Sequence, residues 1–373
     1  MLFNVVTVVN TTKLKDYYRN KTVLVTGHTG FKGAWLSHVL LSFGAKVVGL
    51  SLAPKTPNDI FVRTGLKKQV LHNEFDIREA ERVQILMNEV SPDIVFHLAA
   101  QPLVRRSYDE PLVTIDTNVI GTAAVLEAVR NTPSVRSVVI ITTDKVYENR
   151  EEVYAYKESD SLNGRDPYSA SKAAADIISQ SYIHSFFNTE KYGEIHNTLV
   201  GIARAGNVIG GGDWSEDRLI PDIMRAALYD DGEIILRNPS AIRPWEHVLE
   251  PISGYLMLGM RLGKGEKEFS GSWNFGPSEG SWISVGDVTK KMFELLGKGT
   301  FKVVADKEKH EAGLLMLDIT KAKDTLGWVP RWDMQRTFEE TVKWYTSNQK
   351  GEVSIEEFTK KQIREYFDMP ESV

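Results

Sequence analysis

The chain has 373 residues, with 45 basic and 50 acidic side chains for a net charge of −5, and it contains no cysteine. This length supports one large domain or two closely packed ones without covalent cross-links. The missing cysteines exclude disulfides, thiolate metal sites and thiol nucleophiles, and no metal site is predicted. No basic block marks a nucleic-acid surface, no uninterrupted apolar run reaches the ~20 residues that span a bilayer, and the start lacks signal-peptide features. We therefore expect a cytoplasmic protein that binds neither nucleic acid nor membranes.

The region from residue 21 to about residue 143 alternates short β-branched runs with longer helical patterns. This alternation is typical of βαβ units, and it predicts a Rossmann-like α/β fold with a doubly wound parallel sheet. Near-continuous apolar runs predict strands at 22–26, 45–50, 93–97, 137–142 and 199–203. Helical spacing of apolar residues predicts helices at 79–90, 116–131 and 167–187.

The domain organisation follows from where this alternation stops. We predict an N-terminal extension at 1–20 and a dinucleotide-binding Rossmann domain at 21–205. A smaller C-terminal substrate-binding lobe is predicted at 206–350, with some segments after residue 240 returning to the first domain. The charged tail at 351–373 is predicted to be helical around 355–366.

A glycine-rich turn, Gly27-His-Thr-Gly30-Phe-Lys-Gly33, joins the first predicted strand to a helical pattern. Glycines let the backbone turn tightly and approach a pyrophosphate, whose charge is met by amide groups and by the positive end of the helix. The three-and-three spacing differs from the usual G-x-G-x-x-G fingerprint, yet the strand–turn–helix context is that of a dinucleotide site. The pattern favours dinucleotide binding over a purely structural turn.

The residues after the second and third strands bear on the choice of dinucleotide. The acidic residue expected at the end of the second strand is missing, and Ser51 stands there instead. Ser51 can hydrogen-bond a ribose, and no arginine follows to hold a 2′-phosphate, so NAD is favoured over NADP. Asp76 is either a contact to the adenine edge or a helix N-terminal carboxylate before Arg78.

Tyr168 and Lys172 stand four residues apart at the start of a predicted helix, so their side chains lie on one face. A lysine ammonium beside a phenol lowers the phenol pKa, which lets the phenolate exchange a proton with a sugar hydroxyl during hydride transfer. Thr143 lies at the carboxyl end of a sheet strand and is positioned to bridge Tyr168 to a substrate. Such a Tyr–Lys pair is common by chance, and the glycine turn and Thr143 make it specific.

Asp144 and Lys145 follow Thr143 directly and add two titratable groups at the same edge of the sheet. Neighbouring groups whose environments push their pKa values apart form an acid and a base. An ordinary surface ion pair is the alternative. The position at the ligand-binding edge favours the catalytic interpretation.

These motifs resemble the extended short-chain dehydrogenase/reductase family, whose members act on nucleotide-diphosphate sugars, and within it the CDP-glucose 4,6-dehydratases. The resemblance extends from about residue 21 to residue 348. It is carried by the segments 25–33, 97–105, 144–145, 166–169, 204–214 and 242–251.

The resemblance implies a redox-neutral dehydration of CDP-glucose with NAD. Tyr168, assisted by Thr143 and Lys172, takes the proton of the 4-hydroxyl as hydride passes to NAD, and water then leaves across C5 and C6 with Asp144 as the acid. The hydride returns to C6, giving CDP-4-dehydro-6-deoxy-glucose, a precursor of deoxy and dideoxy sugars in surface polysaccharides such as lipopolysaccharide O-antigen. Many relatives carry a glutamate as the C5 base where this chain has Lys145, and the CDP-glucose group similarly carries lysine, so the identity of the base stays open.

The resemblance also implies two sets of binding residues. The cofactor set is Gly27, Thr29, Gly30, Phe31, Lys32, Gly33, Ser51, Asp76, Ile77, Ala99, Ala100, Gln101, Tyr168 and Lys172. The substrate set is Arg105, Asn207, Arg218, Arg243 and Asn274, with Asn207 and Arg243 at the diphosphate. For Arg218, a solvated arginine at a helix start is an equal alternative, and Asn118 is expected to tie a helix to the sheet.

Three alternatives stay open at this point. Another enzyme of the same family, a 4-epimerase or a decarboxylase, shares the Tyr–Lys oxidation step, although a simple epimerase has no need of an acid for C6. A catalytically silent dinucleotide-binding regulator has the same fold.

Family members dimerise through the helices that correspond to 116–131 and 168–187, so a homodimer or homotetramer is expected.

Overall fold

The computed structural model describes residues 11–230, 232–278, 282–304, 314–347 and 354–368. In these ranges the strands are β1 (Thr22–Thr26), β2 (Lys46–Ser51), β3 (Leu71–Glu74), β4 (Ile94–His97), β5 (Ser137–Ile141), β6 (Ala155–Tyr156), β7 (Leu199–Ala205), β8 (Asn207–Ile209), β9 (Glu233–Leu236), β10 (Ile242–His247), β11 (Gly271–Phe275), β12 (Trp282–Ser284), β13 (Thr300–Val303) and β14 (Met316–Leu317). The α-helices are α1 (Thr11–Tyr18), α2 (Phe31–Ser42), α3 (Ile60–Arg63), α4 (Ala80–Val90), α5 (Val104–Asp109), α6 (Pro111–Ile115), α7 (Gly121–Arg130), α8 (Pro167–Ser185), α9 (Leu219–Tyr229), α10 (Leu249–Gly263), α11 (Val285–Leu296), α12 (Met334–Ser347) and α13 (Ile355–Asp368).

The central sheet has seven strands in the order β3-β2-β1-β4-β5-β7-β11, and every pairing in it is parallel. The predicted doubly wound Rossmann-like fold is therefore confirmed. The strand order reverses between β1 and β4, and ligands of such sheets bind outside the carboxyl ends of the strands at that point. This edge is where the glycine turn and Thr143 lie.

Two hydrophobic cores fill the two faces of the sheet, because successive side chains of a strand point to opposite faces. On β1, Val23 and Val25 belong to the larger core, whereas Leu24 belongs to the smaller one. Side chains of α2 and α10 cover the larger core, and those of α4 and α7 cover the smaller one. Burial on both faces explains why these strands appear in the sequence as near-continuous apolar runs.

The helix predicted at 116–131 begins earlier than expected. Pro111 occupies the first turn of α6, where a missing N–H costs nothing, and the chain continues through a π-helical turn at Asp116–Ile120 into α7. Asn118 lies in that turn and exchanges hydrogen bonds with the backbone of Gln101, at 2.8 and 3.1 Å. The expectation that Asn118 ties this helix to the sheet edge is confirmed.

The stretch Pro111–Arg130 is the one helix among the described residues that is long and apolar enough to cross a membrane, judged by length and composition. Its apolar runs are interrupted by threonine, aspartate and asparagine, so a count of uninterrupted runs misses it. Half of its most apolar window is buried inside the protein. Core helices pass the same test, so the stretch is weak evidence for a membrane span.

The second lobe is built from small sheets and the helices beside them. β8, β10 and β12 form one sheet, β9 pairs with β13, and β6 pairs with β14. Two later segments lie with the first lobe: β11 pairs with β7 at the end of the main sheet, and α10 packs beneath β5 and β7. The division at residue 205 remains a prediction.

The ends of the described chain pack onto the first lobe. In α1, the buried Tyr18 donates a hydrogen bond to the carbonyl of Leu256 at 2.8 Å. In α13, the buried Tyr366 donates to Glu250 at 2.6 Å. A helix is thus present where the tail was predicted to be helical, while the first ten residues of the predicted extension and the end of the tail lie outside the described residues.

Candidate active site

The glycine turn after β1 is as tight as the sequence predicts. Gly27 has a φ of +77°, and a Cβ there would lie 2.8 Å from the amide nitrogen of Ala99. A Cβ on Gly33 would lie 2.1 Å from the carbonyl oxygen of Gly27, so neither position tolerates a side chain. Helix α2 starts at Phe31 behind Gly30, and no side chain caps its first turn. These N–H groups and the positive helix end fit the diphosphate of a dinucleotide.

The predicted adenosine end of the cofactor site contains two hydroxyls and one carboxylate. The hydroxyls of Ser51 and Thr29 are 2.7 Å apart, and Thr29 also donates to the carbonyl of Leu52 at 2.9 Å. Asp76 accepts a hydrogen bond from the backbone of Arg78 at 2.9 Å and from its guanidinium at 2.7 Å, and this pairing lowers the pKa of Asp76. Arg78 precedes α4, whose N-cap is Glu79, so these contacts do not cap the helix, and the role of Asp76 stays a prediction. The neighbouring Ile77 is buried in the smaller core.

The loop after β4 contains Ala99, Ala100 and Gln101, which were predicted to line the cofactor site. The side-chain amide of Gln101 donates to the carbonyl of Leu103 and to the hydroxyl of Thr114, and its oxygen accepts from the backbone of Leu103 at 2.7 Å. The Gln101 side chain is therefore committed to holding its own loop. A contact to the cofactor from this residue would come from its backbone.

One cleft brings together residues that are distant in the sequence. Its volume is about 710 Å³, and it lies where β5, β7 and the loops of the second lobe meet. The predicted site residues that line it are Lys32, Arg105, Thr143, Lys145, Tyr168, Asn207, Arg218 and Arg243.

The turn after β5 carries the three residues predicted for acid–base chemistry and substrate contact. The Thr143 hydroxyl donates to Asp144 Oδ1 at 2.9 Å, and Lys145 Nζ lies 3.3 Å from the same oxygen. Lys145 Nζ also donates to the side-chain oxygen of Asn207 at 3.4 Å. Asp144 is fully buried, and its Oδ2 has no hydrogen-bond partner in the described structure. The turn therefore presents the amino group of Lys145 to the cleft and holds a buried carboxyl directly behind it.

Tyr168 and Lys172 share one face of α8, but the pKa of the phenol differs from the prediction. Burial raises the pKa of Tyr168 to about 12, and the hydrogen bond with Thr143 and the charge of Arg218 oppose this rise. Lys172 Nζ donates to the carbonyl of Ile141 at 2.8 Å, and burial, reinforced by the charge of Lys32, lowers the pKa of Lys172 to about 8. The expected lowering of the Tyr168 pKa by Lys172 is wrong for the protein alone, because desolvation outweighs the nearby charges.

The predicted substrate residues fall into two groups. Arg105, Asn207, Arg218 and Arg243 line the cleft, where guanidinium groups suit a diphosphate. Arg218 donates to Asp213 at 3.0 Å, so it is an ion-paired cleft residue and not merely a solvated helix start.

Asn274 is not in the cleft, and its predicted role in substrate binding is corrected. Its side chain is fully buried, accepts from the hydroxyl of Tyr147 at 2.7 Å, and donates to the carbonyls of Tyr156 and Asp318. All three contacts are internal, so Asn274 has a structural role.

Glu246 is a candidate functional residue that the sequence did not reveal. It lies on β10, its carboxyl group is 2% exposed, and neither oxygen has a hydrogen-bond partner in the described structure. It interacts electrostatically with Lys32 and Asp144. Glu246 lies in the segment 242–251 that carries the family resemblance, but its burial results from tertiary packing and could not be predicted from that segment.

Comparisons with known proteins identify the family of the chain. A family model described as GDP-mannose 4,6 dehydratase matches residues 24–341. A CDP-glucose 4,6-dehydratase of Salmonella typhimurium is 44% identical over 91% of this chain and 94% of the relative. A dTDP-glucose 4,6-dehydratase of Streptomyces antibioticus is 30% identical over 87% of this chain and 92% of the relative.

Solved structures show the same fold. The dTDP-glucose 4,6-dehydratase DesIV of Streptomyces venezuelae, crystallised with NAD and TYD, superposes with a TM-score of 0.75 at 25% identity, covering 90% of this chain and 99% of that chain. The epimerase Mth375 of Methanothermobacter thermautotrophicus superposes with a TM-score of 0.79 at 22% identity, covering 92% and 97%, and that likeness supports the fold alone. Together with the family model and the 44% identical relative, these findings show that the chain belongs to the GDP-mannose 4,6 dehydratase family of nucleotide-sugar dehydratases, within the extended short-chain dehydrogenases/reductases.

Proposed function

We propose that this protein is a hydro-lyase that converts CDP-glucose to CDP-4-dehydro-6-deoxy-glucose with NAD. The observation that carries the proposal is that Tyr168 and Lys145 line one cleft, with Lys172 on the same helix as Tyr168 and Asp144 Oδ1 3.3 Å from Lys145 Nζ. An oxidation pair thus lies beside an elimination pair. An epimerase does not need the second pair. The choice of CDP-glucose rests on the 44% identical relative.

NAD is the cofactor of this proposal. The uncapped start of α2 receives the diphosphate, and the Ser51 hydroxyl stands where the adenosine ribose is expected. No arginine follows β2 directly to hold a 2′-phosphate, which argues against NADP. When bound, NAD supplies a hydride acceptor that takes the C4 hydrogen of the sugar and later returns it to C6.

The catalytic roles are those that the family resemblance implies, assigned to the groups at and behind the cleft. With NAD bound, the positive charge of the nicotinamide and that of Lys172 would offset the desolvation of Tyr168 and favour its phenolate. The phenolate accepts the proton of the 4-hydroxyl, and Thr143, which is hydrogen-bonded to Tyr168, orients that hydroxyl. The resulting ketone acidifies the hydrogen at C5. Asp144 donates its proton to the departing C6 oxygen, and Lys145, at the cleft wall beside it, removes and returns the C5 proton. Arg243, Arg218 and Asn207 hold the diphosphate.

The proposed product is an intermediate of sugar biosynthesis, which we place in the cytoplasm. A 4-keto-6-deoxy sugar on a nucleotide is activated both for further change at the ring and for transfer. We therefore place the protein in the synthesis of deoxy and dideoxy sugars for surface polysaccharide such as O-antigen.

We propose that the protein is a homodimer, or a homotetramer formed from two such dimers. Helices α6 and α8 pack against each other, and their outer faces expose Leu112, Ile115 and Ile177, with Ile120 in the π-helical turn between α6 and α7. An exposed apolar surface of this kind marks an association site. Light scattering should give twice or four times the 42.0 kDa chain mass, and Ile177→Asp should give the monomer.

The test of the activity is incubation of the purified protein with CDP-, dTDP-, GDP- and UDP-hexoses. Mass spectrometry follows the loss of one water, and absorbance follows free NADH. Loss of water from CDP-glucose alone, without net NADH, supports the proposal and its nucleotide together. Isomerisation without a mass change would identify a 4-epimerase, and silence with every sugar despite bound dinucleotide would identify a regulator.

A further inference from the structure

A group of buried polar atoms behind the cleft has no hydrogen-bond partner within the described residues. It consists of both carboxyl oxygens of Glu246, Oδ2 of Asp144 and the hydroxyl of Tyr255. All three residues are at most 2% exposed. Buried polar groups in native proteins are almost always paired with protein atoms or with ordered water, so four such atoms require an explanation.

These atoms belong to one cluster, although they come from separate elements. Glu246 on β10 interacts electrostatically with Asp144 on the turn after β5 and with Lys32 on α2. Tyr255 on α10 interacts with Glu246 and with Tyr168. The cluster therefore connects the proposed acid, Asp144, to the proposed base, Tyr168. Ordered water between its members would satisfy all four atoms.

The surroundings of Glu246 favour the protonated form of its carboxyl group. Burial raises the pKa of Glu246 well above its usual value, the carboxyl groups of Glu250 and Asp144 raise it further, and only the Lys32 ammonium opposes them. Glu250, from α10, is itself engaged by the Tyr366 hydroxyl and by two backbone N–H groups, so it is not available to Glu246 as a partner. Glu246 is therefore a buried carboxyl group that can act as a proton donor.

The proton balance of the proposed reaction, on which this inference rests, leaves a gap that the cluster can fill. The C6–O bond breaks as Asp144 gives its proton to the oxygen, and water departs. The C5 proton is removed and returned to C5, and Tyr168 keeps the proton that it took from the 4-hydroxyl. Each turnover thus leaves Asp144 one proton short and Tyr168 with one proton too many. Asp144 is fully buried, so bulk water does not reach it directly.

We propose that Glu246 refills Asp144 with a proton through ordered water after each dehydration, and that Tyr255 passes the proton of Tyr168 back to Glu246. The transfers move one proton around the cluster and leave every group as it began. Glu246 touches neither substrate nor cofactor and is a positioning residue in this scheme. The competing route runs through the Thr143 hydroxyl, which is hydrogen-bonded to both Tyr168 and Asp144.

The test compares the first turnover with later ones in the Glu246→Gln variant, which keeps the shape of the side chain but carries no acidic proton. In the proposed mechanism each cycle begins with a proton on Asp144, so rapid-quench mass spectrometry should show a first dehydration of CDP-glucose within about twofold of the wild-type rate. Later turnovers should be slower than wild type by about tenfold or more, with the KM unchanged. Tyr255→Phe should show the same burst followed by slow turnover. The thermal midpoint of each variant checks that the fold is intact.

Two kinetic outcomes would overturn the proposal. An unchanged kcat would assign the return of the proton to Thr143 or to Lys145, whose Nζ lies 3.3 Å from Asp144 Oδ1. Equal slowing of the first and later turnovers would reduce Glu246 to a packing role. Infrared spectra of the protein without cofactor add a separate readout: wild type should show a protonated carboxyl band that Glu246→Gln lacks, and the absence of that band would also contradict the proposal. If wild type failed to dehydrate CDP-glucose, the proposed function and this scheme would fall together, while the infrared spectra would still decide whether Glu246 holds a proton.

Discussion

Two buried polar clusters lie on either side of β5 and β7, and they differ in how fully they are paired. In the first, Arg204 makes a two-point ion pair with Asp176 at 2.8 Å for each contact, and it donates to Tyr147 at 2.9 Å. Tyr147 in turn donates to Asn274. In the second cluster, Glu246, Asp144 and Tyr255 leave four polar atoms without partners among the described residues.

The difference separates scaffold from site. A buried charge is tolerated when its partners are fixed by good geometry, and such a cluster holds its elements in one arrangement. A buried polar atom that the protein leaves unpaired costs free energy, and a fold keeps such atoms where water, substrate or a transferred proton completes them. The paired cluster fixes α8 against β7, which places Tyr168 and Lys172. The unpaired cluster lies next to the reacting groups.

The largest effect should come from removing the phenol at the edge of the unpaired cluster. Tyr168→Phe should lower kcat by about 10⁴-fold, because no other group in the proposed site accepts the proton of the 4-hydroxyl. Dinucleotide binding, measured by calorimetry, should stay within about twofold of wild type, because the glycine turn is untouched. The matched control is Tyr182→Phe on the same helix, whose hydroxyl lies 3.4 Å from Glu127 outside the cleft. Turnover by Tyr168→Phe near the wild-type rate would contradict the mechanism.

Breaking the paired cluster should destabilise the fold. Asp176→Asn leaves the Arg204 guanidinium buried without its counter-charge, and the free energy of unfolding should fall by about 3 kcal/mol. Denaturant titration measures this change. The control is Glu365→Gln, which breaks an ion pair with Arg336 that is more than one third exposed on both sides, and it should cost less than about 1 kcal/mol. If the two variants lost equal amounts of unfolding free energy, the buried Arg204–Asp176 pair would stabilise the fold no more than the exposed Arg336–Glu365 pair.

Acid should weaken the fold through its buried neutral histidines. Burial lowers the pKa of His97 to about 3, and that of His28, with a contribution from His72, to about 4. A histidine with a lowered folded pKa contributes stability above its unfolded pKa of about 6.5, and this stability is lost as the pH falls toward the folded value. In that pH window, each of the two histidines should lower the free energy of unfolding by about 1.4 kcal/mol for every unit of decrease in pH. Denaturation at pH 7, 6 and 5 measures the slope, and His97→Gln should reduce it; an unchanged slope would mean that His97 is not neutral in the fold.

The sequence predicted the architecture well because the relevant signals are local. The five strands proposed from apolar runs all exist within one or two residues of their expected bounds, and the glycine turn lies where the strand–turn–helix pattern put it. Parallel strands that are buried on both faces, and tight glycine turns, have local sequence patterns that do not depend on distant parts of the chain. The early start of the helix at Pro111 was missed because the π-helical turn disturbs the period of 3.6 residues.

The site was predictable in its residue types but not in its burial. The Tyr–Lys spacing and the Thr143 turn are local patterns, and the structure brings them to one cleft together with Asn207 and Arg243. Asn274 belongs to the paired cluster because Tyr147 and Tyr156 reach it through tertiary packing. Burial raises the pKa of Tyr168, and tertiary packing leaves the carboxyl oxygens of Glu246 without hydrogen-bond partners among the described residues. Residue spacing in the sequence predicts neither effect.

The smallest expected effect tests the unpaired cluster at alkaline pH. Glu246 has a folded pKa above its unfolded value, so its contribution to stability is fully present below about pH 4.5 and is lost as the pH rises through the folded pKa. Glu246→Gln removes this loss, because the amide does not ionise. Wild type should therefore lose more stability than the variant as the pH rises above about 4.5, by at most about 1.4 kcal/mol per pH unit, in denaturant titrations at pH 5, 7 and 9. Asp176→Asn should leave the alkaline slope unchanged, since its partner stays charged throughout. A wild-type slope equal to that of Glu246→Gln would mean that Glu246 is already ionised beside Lys32, and the two clusters would then differ in geometry but not in charge.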